Sequence, residues 1–126
     1  MTTKIIVKTD NAPAAIGPYS QGVGLNGTYY FSGQIGLDPK TQVLADGFSA
    51  QLKMVMQNID GLLGSQGLSR DNIIKTSIFV TDLNNFAEVN QAYIEFFKEP
   101  YPARSTVEVS KLPKGSLVEI EVIAAK

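Results

Sequence analysis

No histidine, no cysteine and no tryptophan occur among the 126 residues. Each absence removes a class of chemistry. Without histidine, a general base has to be a carboxylate, a hydroxyl, a backbone group or a bound water. Without cysteine there is no thiol nucleophile and no disulfide framework. Lacking both, a transition-metal site would rest on carboxylates alone, a poor donor set for zinc. Charge is sparse too: 18% of residues are charged against 44% hydrophobic, with a net charge of −1 and a pI near 5.3. A basic run is missing, so nucleic-acid binding by counterion release has little to work with. A surface thin in charge implies that part of it is covered by a partner or by copies of itself. No apolar run approaches the ~20 residues of a membrane span. Met1-Thr2-Thr3-Lys4 runs straight into Ile5-Ile6-Val7, too short for a secretory leader. The expectation is one cytoplasmic domain spanning residues 1–126.

The hydrophobic pattern sets an order of elements. Lys4 to Lys8 reads as a strand, and Asp10 to Pro18 as a loop. Tyr19 to Leu25 and Thr28 to Gly33 flank Asn26-Gly27, a pair that tolerates positive φ and marks a hairpin. Gly36 to Gly47 is a second loop. Phe48, Leu52, Val55, Met56, Ile59, Leu62 and Leu63 then recur at three- and four-residue steps, the period of a half-buried helix. Asp46 or Ser49 is its expected cap, and Gly64 and Gly67 its end. Ile73 to Thr81 is β-branched and aromatic. Asp82 and Asn84 offer caps for a second helix with the stripe Phe86, Val89, Tyr93, Phe96 and Phe97, stopped by Pro100 and Pro102. Arg104 to Val109 and Leu117 to Ala124 complete β-β-β-α-β-α-β-β. Two helices cover one face of such a sheet, so the other face meets water or another subunit.

Side-chain alternation sorts the charges. Val118, Ile120, Val122 and Ala124 form an apolar set for the helix side. Glu119 and Glu121 then point to the opposite face, where Arg104, one of only two arginines, is also expected. The plainer reading of these three is a solvated cross-strand ion pair worth under ~1 kcal/mol. Leu117 and Ile123 make that face partly apolar, and two prolines fix where the arginine enters the sheet; both favour a site. Gly17-Pro18-Tyr19 delivers a tyrosine that is either a lid on the core or a site residue. Ser32-Gly33 ends a strand where a ligand can approach the backbone, or is an ordinary strand end. Asn90 beside the second stripe is either a backbone-satisfied amide or a site residue. Gly22-Val23-Gly24 is no dinucleotide fingerprint, and Gly61 to Gly67 is no P-loop.

Several motifs in order carry a resemblance. Pro102-Ala103-Arg104-Ser105, Val107-Glu108-Val109, Lys111-Leu112-Pro113-Lys114 and Val118-Glu119-Ile120-Glu121 resemble the Rid (YjgF-type) family of reactive-intermediate deaminases. So do Asn11 to Gln21, Ser32-Gly33-Gln34-Ile35 and Val80-Thr81-Asp82-Leu83-Asn84. The resemblance implies an α+β, chorismate-mutase-like fold, a β-sheet with two helices packed on one face. It implies a homotrimer with a central barrel and sites in the clefts between subunits. It implies cofactor-free hydrolysis of 2-enamine/2-imine acids, such as 2-aminoacrylate and 2-aminocrotonate, to 2-keto acids and ammonium, downstream of pyridoxal-phosphate-dependent dehydratases. By motif, Arg104 would bind the substrate carboxylate and Glu119 would position or activate the attacking water. Tyr19, Ser32 and Gly33 would line the pocket, Asn90 would assist, and Thr106 would contribute its backbone. The family often has cysteine at that last position; threonine removes the thiol. The connection before Arg104 is a few residues shorter than in many relatives, which alters the rim of the cleft. Glu121 keeps a structural role, at the subunit interface.

The chemistry suits the composition, because an imine is already electrophilic and water adds without a covalent protein intermediate. Three other readings compete: a non-catalytic regulator that binds keto or amino acids through the same arginine, an RNA-directed nuclease, and a chaperone. The second is opposed by the acidic pI and the missing histidines, and no residue pattern speaks for the third.

Overall fold

The computed structural model describes residues 3–126; Met1 and Thr2, named above in the leader argument, lie outside them. The strands are β1 (Ile5–Val7), β2 (Gly22–Leu25), β3 (Thr28–Phe31), β4 (Ile73–Val80), β5 (Ala103–Glu108) and β6 (Val118–Ala125). The helices are α1 (Phe48–Ser65) and α2 (Phe86–Phe96), in the order expected. The sheet runs β1-β2-β3-β6-β4-β5 and is mixed, with β4 and β5 parallel and the other pairs antiparallel. Both helices lie on one face, an α+β architecture. No helix is long and apolar enough to cross a membrane.

The hairpin turns at Asn26 (φ 53°) and Gly27 (φ 82°), the left-handed pair that matches strand twist. In β2, Gly22 and Gly24 stand across from Phe31 and Tyr29. A Cβ at either would press into the facing ring, so these glycines let aromatics lie flat over the strand.

The helix ends match expectation at Gly67 and differ elsewhere. α1 starts from Gly47 (φ 89°) with no side-chain cap. Ser49 is already inside the helix, and its hydroxyl donates to Glu88 of α2. At the other end Gly67 (φ 68°) takes the left-handed position. Its N–H reaches the Gly64 carbonyl at 3.1 Å and the Leu68 N–H reaches Leu63 at 2.9 Å, the paired bonds of a Schellman stop. Asp82 caps the short turn Leu83–Asn85 through the Asn84 N–H at 2.9 Å, not α2 itself. α2 ends at Phe96, before either proline. Phe97 is extended and turned into the core, edge-on to Phe96 at 4.9 Å.

The core lies between sheet and helices, with Val55, Ile59, Leu62, Ile78, Val80, Val89, Val118 and Ile120 all at most 2% exposed. Buried amides pin the loops to it. Gln21 donates to the carbonyls of Thr9 and Pro13 and accepts from the Thr9 N–H, holding the loop before β2. Asn58 donates to the Leu37 carbonyl at 2.8 Å. The other arginine, Arg70, grips Asp60 of α1 with two nitrogens (2.9 and 2.7 Å). It also donates to the Phe96 carbonyl and lies 3.8 Å over the Phe96 ring, joining the helices.

Gly61 faces the loop that carries Asn11. A Cβ there would overlap the Asn11 backbone carbonyl, which has no rotamer with which to give way. Gly61→Ala is therefore expected to destabilise the fold by about 1–3 kcal/mol despite its better helix propensity. Urea unfolding reads this as a lower midpoint at unchanged slope; an unchanged midpoint would show that the loop simply moves aside.

Candidate functional site

The expected residues fall into two groups on opposite faces of the sheet. Arg104 is paired with Thr76 across parallel β4 and β5. Thr76 is buried under the helices, where its hydroxyl meets the Tyr93 hydroxyl at 2.8 Å. Arg104 therefore points to the helix side. This corrects the expectation that it shares a face with Glu119 and Glu121. Those carboxylates stand across from Phe79 and Ser77 on the helix-free face. Alternation was read correctly for each strand, but the relative phase of β5 and β6 is set through β4, which lies between them.

On the helix side, Arg104 Nη1 donates to Asn90 Oδ1 at 2.7 Å. The guanidinium carbon lies 5.0 Å from the Tyr93 ring centre and 5.3 Å from that of Phe86. Among the described residues it has no carboxylate partner; the ion pair found is Arg70–Asp60. Four of its five N–H groups thus remain outside that bond, enough for a bidentate contact with an oxyanion. Beside it opens a cavity of about 490 Å³ lined by Asn90, Tyr93, Ile94, Tyr101, Pro102 and Arg104. Burial pushes the Tyr93 phenol upward, against the lowering effects of Thr76 and Arg104, so it stays protonated.

Thr106 lies two residues on, on the same face and at the sheet edge. Its side-chain oxygen is buried and unpartnered, so it does not open to the cavity. The backbone is better placed. The Val109 N–H reaches back to the Val80 carbonyl at 2.8 Å. Backbone groups alternate along a strand, so those of Thr106 point outward from the open edge.

The second group gathers on the other face. Tyr19, Ser32, Gly33, Glu119 and Glu121 line one cavity of about 640 Å³, together with Lys114 and the loop residues Pro13, Ala14 and Ile16. Ser32 donates its hydroxyl to the Ser20 carbonyl at 2.6 Å and its backbone N–H to Gln21. Gln34 pairs through both backbone groups with Ile120 (2.8 and 3.0 Å), which sets Gly33 against Glu119. A Cβ at Gly33 would overlap the Glu119 carboxylate. The space that glycine opens is therefore filled by this side chain, where a ligand was expected. Tyr19 is 54% exposed and is not packed on the core as a lid.

Half-burial, and then repulsion from Glu121, raise the Glu119 carboxyl above the ordinary glutamate range. A carboxyl so placed takes up and gives back a proton nearer to neutrality. Among the described residues, no group of three or more acidic residues stands where it could hold a metal ion.

The two cavities share no lining residue. Within one chain, then, the arginine and Asn90 come together, the glutamate, tyrosine, serine and glycine come together, and the two sets do not meet. Sequence reasoning missed Tyr93 and Phe86 at the arginine because their helical spacing gave them to the core. It missed Tyr101 and Ile94 because exposed apolar residues carry no local signal.

The chain matches the sequence family described as Endoribonuclease L-PSP over residues 9–126. It is 49% identical over 123 residues to the 2-iminobutanoate/2-iminopropanoate deaminase of Salmonella typhimurium, covering 95% of this chain and 96% of that one. It is 42% identical to the human protein of the same name, covering 94% and 88%. Its fold superimposes on RidA from an Antarctic Psychrobacter at a TM-score of 0.94, with 44% identity over 97% of this chain and 99% of that one. Escherichia coli TdcF with bound serine is similar at a TM-score of 0.92, with 42% identity, covering 97% and 98%. With matches of this extent in both sequence and fold, the chain belongs to the Endoribonuclease L-PSP family, that of the Rid and RutC proteins.

Proposed function

We propose that the chain is a hydrolytic deaminase of 2-enamine and 2-imine acids, such as 2-aminoacrylate and 2-aminocrotonate, working as a homotrimer with its sites between subunits. The observation that carries this is the division of the site. The arginine with unused donors and the carboxyl of raised pKa lie on opposite faces of one sheet, in separate cavities. A second copy of the chain would set one against the other. The helix-free face supports assembly: Tyr30 is 54% and Val107 45% exposed there, beside Val23, Phe79 and Ile123, an apolar surface that three copies would close into a barrel.

In such a cleft Arg104 of one subunit, held by Asn90, binds the substrate carboxylate, with the outward backbone N–H of Thr106 as a further donor. Glu119 of the next subunit holds the water. The imine tautomer reacts: water oxygen bonds to the imine carbon, the C=N π electrons go to nitrogen, and Glu119 takes a proton from the water. That proton passes to the nitrogen, completing the carbinolamine; its collapse forms the C=O bond and breaks the C–N bond as the hydroxyl proton is carried, again through Glu119, to the departing ammonia. The sum is imino acid plus water giving 2-keto acid plus ammonia, with no oxidant and no covalent enzyme species. Tyr19, Ser32 and Gly33 wall the water side. The names of the Salmonella and human relatives, and the serine held by TdcF, support a small amino- or keto-acid ligand. The nuclease in the family's description finds less support, since the 11 basic residues are outnumbered by 12 acidic ones and histidine is absent.

The direct test couples the protein to a threonine or serine dehydratase and follows 2-keto-acid and ammonium release; no acceleration would leave a keto-acid-binding regulator instead. The division between subunits has its own test. Arg104→Ala and Glu119→Gln chains, each inactive alone, are unfolded, mixed in equal amounts and refolded together. Clefts drawing both intact residues arise at random in about one case in four, so roughly a quarter of wild-type activity should return. Sites contained within one chain would return none.

A further inference from the structure

The stripe Phe86, Asn90, Tyr93 occupies positions i, i+4 and i+7 of α2, one above another on a single helix face. All three side chains meet one partner, the Arg104 guanidinium: Asn90 by a 2.7 Å hydrogen bond, Tyr93 and Phe86 by ring faces at 5.0 and 5.3 Å. Tyr93 is itself fixed. Its hydroxyl bonds to buried Thr76, the residue paired with Arg104 across the sheet, and its ring packs on Phe97 at 4.6 Å. Sheet, helix and arginine thus close a ring of contacts. An arginine that must present two parallel N–H groups to a carboxylate gains from having its rotamers restricted beforehand, because less entropy is lost when the ligand arrives.

We infer that Phe86 and Tyr93 are positioning residues: they hold Arg104 in the orientation that grips a 2-keto or 2-imino acid by its carboxylate. The inference rests on the reading of Arg104 as the carboxylate clamp, and it assigns the two rings a role beyond core packing. Phe86 argues for this most plainly. It is 37% exposed and lies outside the buried core cluster, yet it faces the guanidinium.

The test uses the full-length protein and 2-oxobutanoate, a stable keto acid, with affinity measured by titration calorimetry and turnover by the dehydratase-coupled assay. A cation–π contact of ~0.5–2 kcal/mol corresponds to a loss of about 2- to 30-fold. Phe86→Leu is expected to weaken 2-oxobutanoate binding within that range and to raise KM by a similar factor, with kcat within about twofold of wild type. Phe86→Tyr, which keeps the ring, should restore both. Tyr93→Leu should lose affinity, and Tyr93→Phe, which keeps the ring but frees it from Thr76, should lose less. Tyr93 is buried, so the Leu variant is read only if its thermal transition persists; the exposed Phe86 series decides the matter alone. Unchanged affinity in Phe86→Leu, a loss confined to kcat, or failure of Phe86→Tyr to rescue would overturn the inference. So would absence of 2-oxobutanoate binding by the wild-type protein. Ring-dependent binding without any deamination would instead sink the deaminase reading and leave the positioning role standing.

Discussion

Arg104→Ala should lower kcat/KM for 2-aminoacrylate by roughly 10²–10³-fold, the loss expected when one partner of a desolvated charge pair is removed. The fold should survive. Arg104 makes one hydrogen bond and two ring contacts, and among the described residues no carboxylate depends on it. Its removal therefore strands no buried charge. Arg70 is the contrasting case, because it holds Asp60 and the end of α2 together. Circular dichroism and sedimentation of Arg104→Ala should match wild type while turnover collapses. Arg104→Lys keeps the charge and loses the fork, so it should recover only part of the activity. Near-normal turnover of 2-aminoacrylate by Arg104→Ala would remove the clamp from the mechanism.

Glu119→Gln should cost roughly 10²–10⁴-fold in kcat, the usual yield of a positioned acid–base group. The same change should raise stability at neutral pH. Half-burial and Glu121 raise the folded-state pKa of Glu119. Between the ordinary glutamate value and that raised value, the folded chain keeps a proton that the unfolded chain has released. Stability therefore falls as pH rises through this window and stays lower above it. Glutamine, neutral throughout, escapes the penalty. The melting temperature of Glu119→Gln should exceed that of wild type at pH 7–8, and the two should converge as pH falls to about 4, where both are uncharged. A variant less stable than wild type at neutral pH would mean that the carboxylate forms a favourable contact in the assembled protein.

The same carboxylate accounts for Gly33. The carboxylate occupies the space a Cβ would take, and the backbone pairing of Gln34 with Ile120 holds the two together. The sequence marked Gly33 as a place of close approach. Which group approaches depends on the register of a single bridge between a loop and a central strand, and no local pattern encodes that.

Local chemistry alone determined the six strands, the two helices and their order. Periods of two and 3.6 residues, the Asn26-Gly27 pair and Gly67 act through nearest neighbours and need no tertiary partner. It also determined that the sheet has one face the helices do not reach, since the count of helices settles that. The family could be read from motifs, with Arg104, Asn90, Glu119, Tyr19, Ser32 and Gly33 among their residues. Tertiary structure decided the rest. Arg104 and Glu119 lie on opposite faces because β4 sits between β5 and β6 and fixes their relative phase, a long-range fact invisible to alternation within either strand. Phe86 and Tyr93 meet the arginine because α2 lies on the sheet face to which Thr76 and Arg104 point; in sequence they are only members of an apolar stripe. Gln21 and Asn58 are pins because burial leaves their amides no other partners. The separation of the two cavities is a property of the whole sheet, because it depends on which face each strand turns each side chain toward.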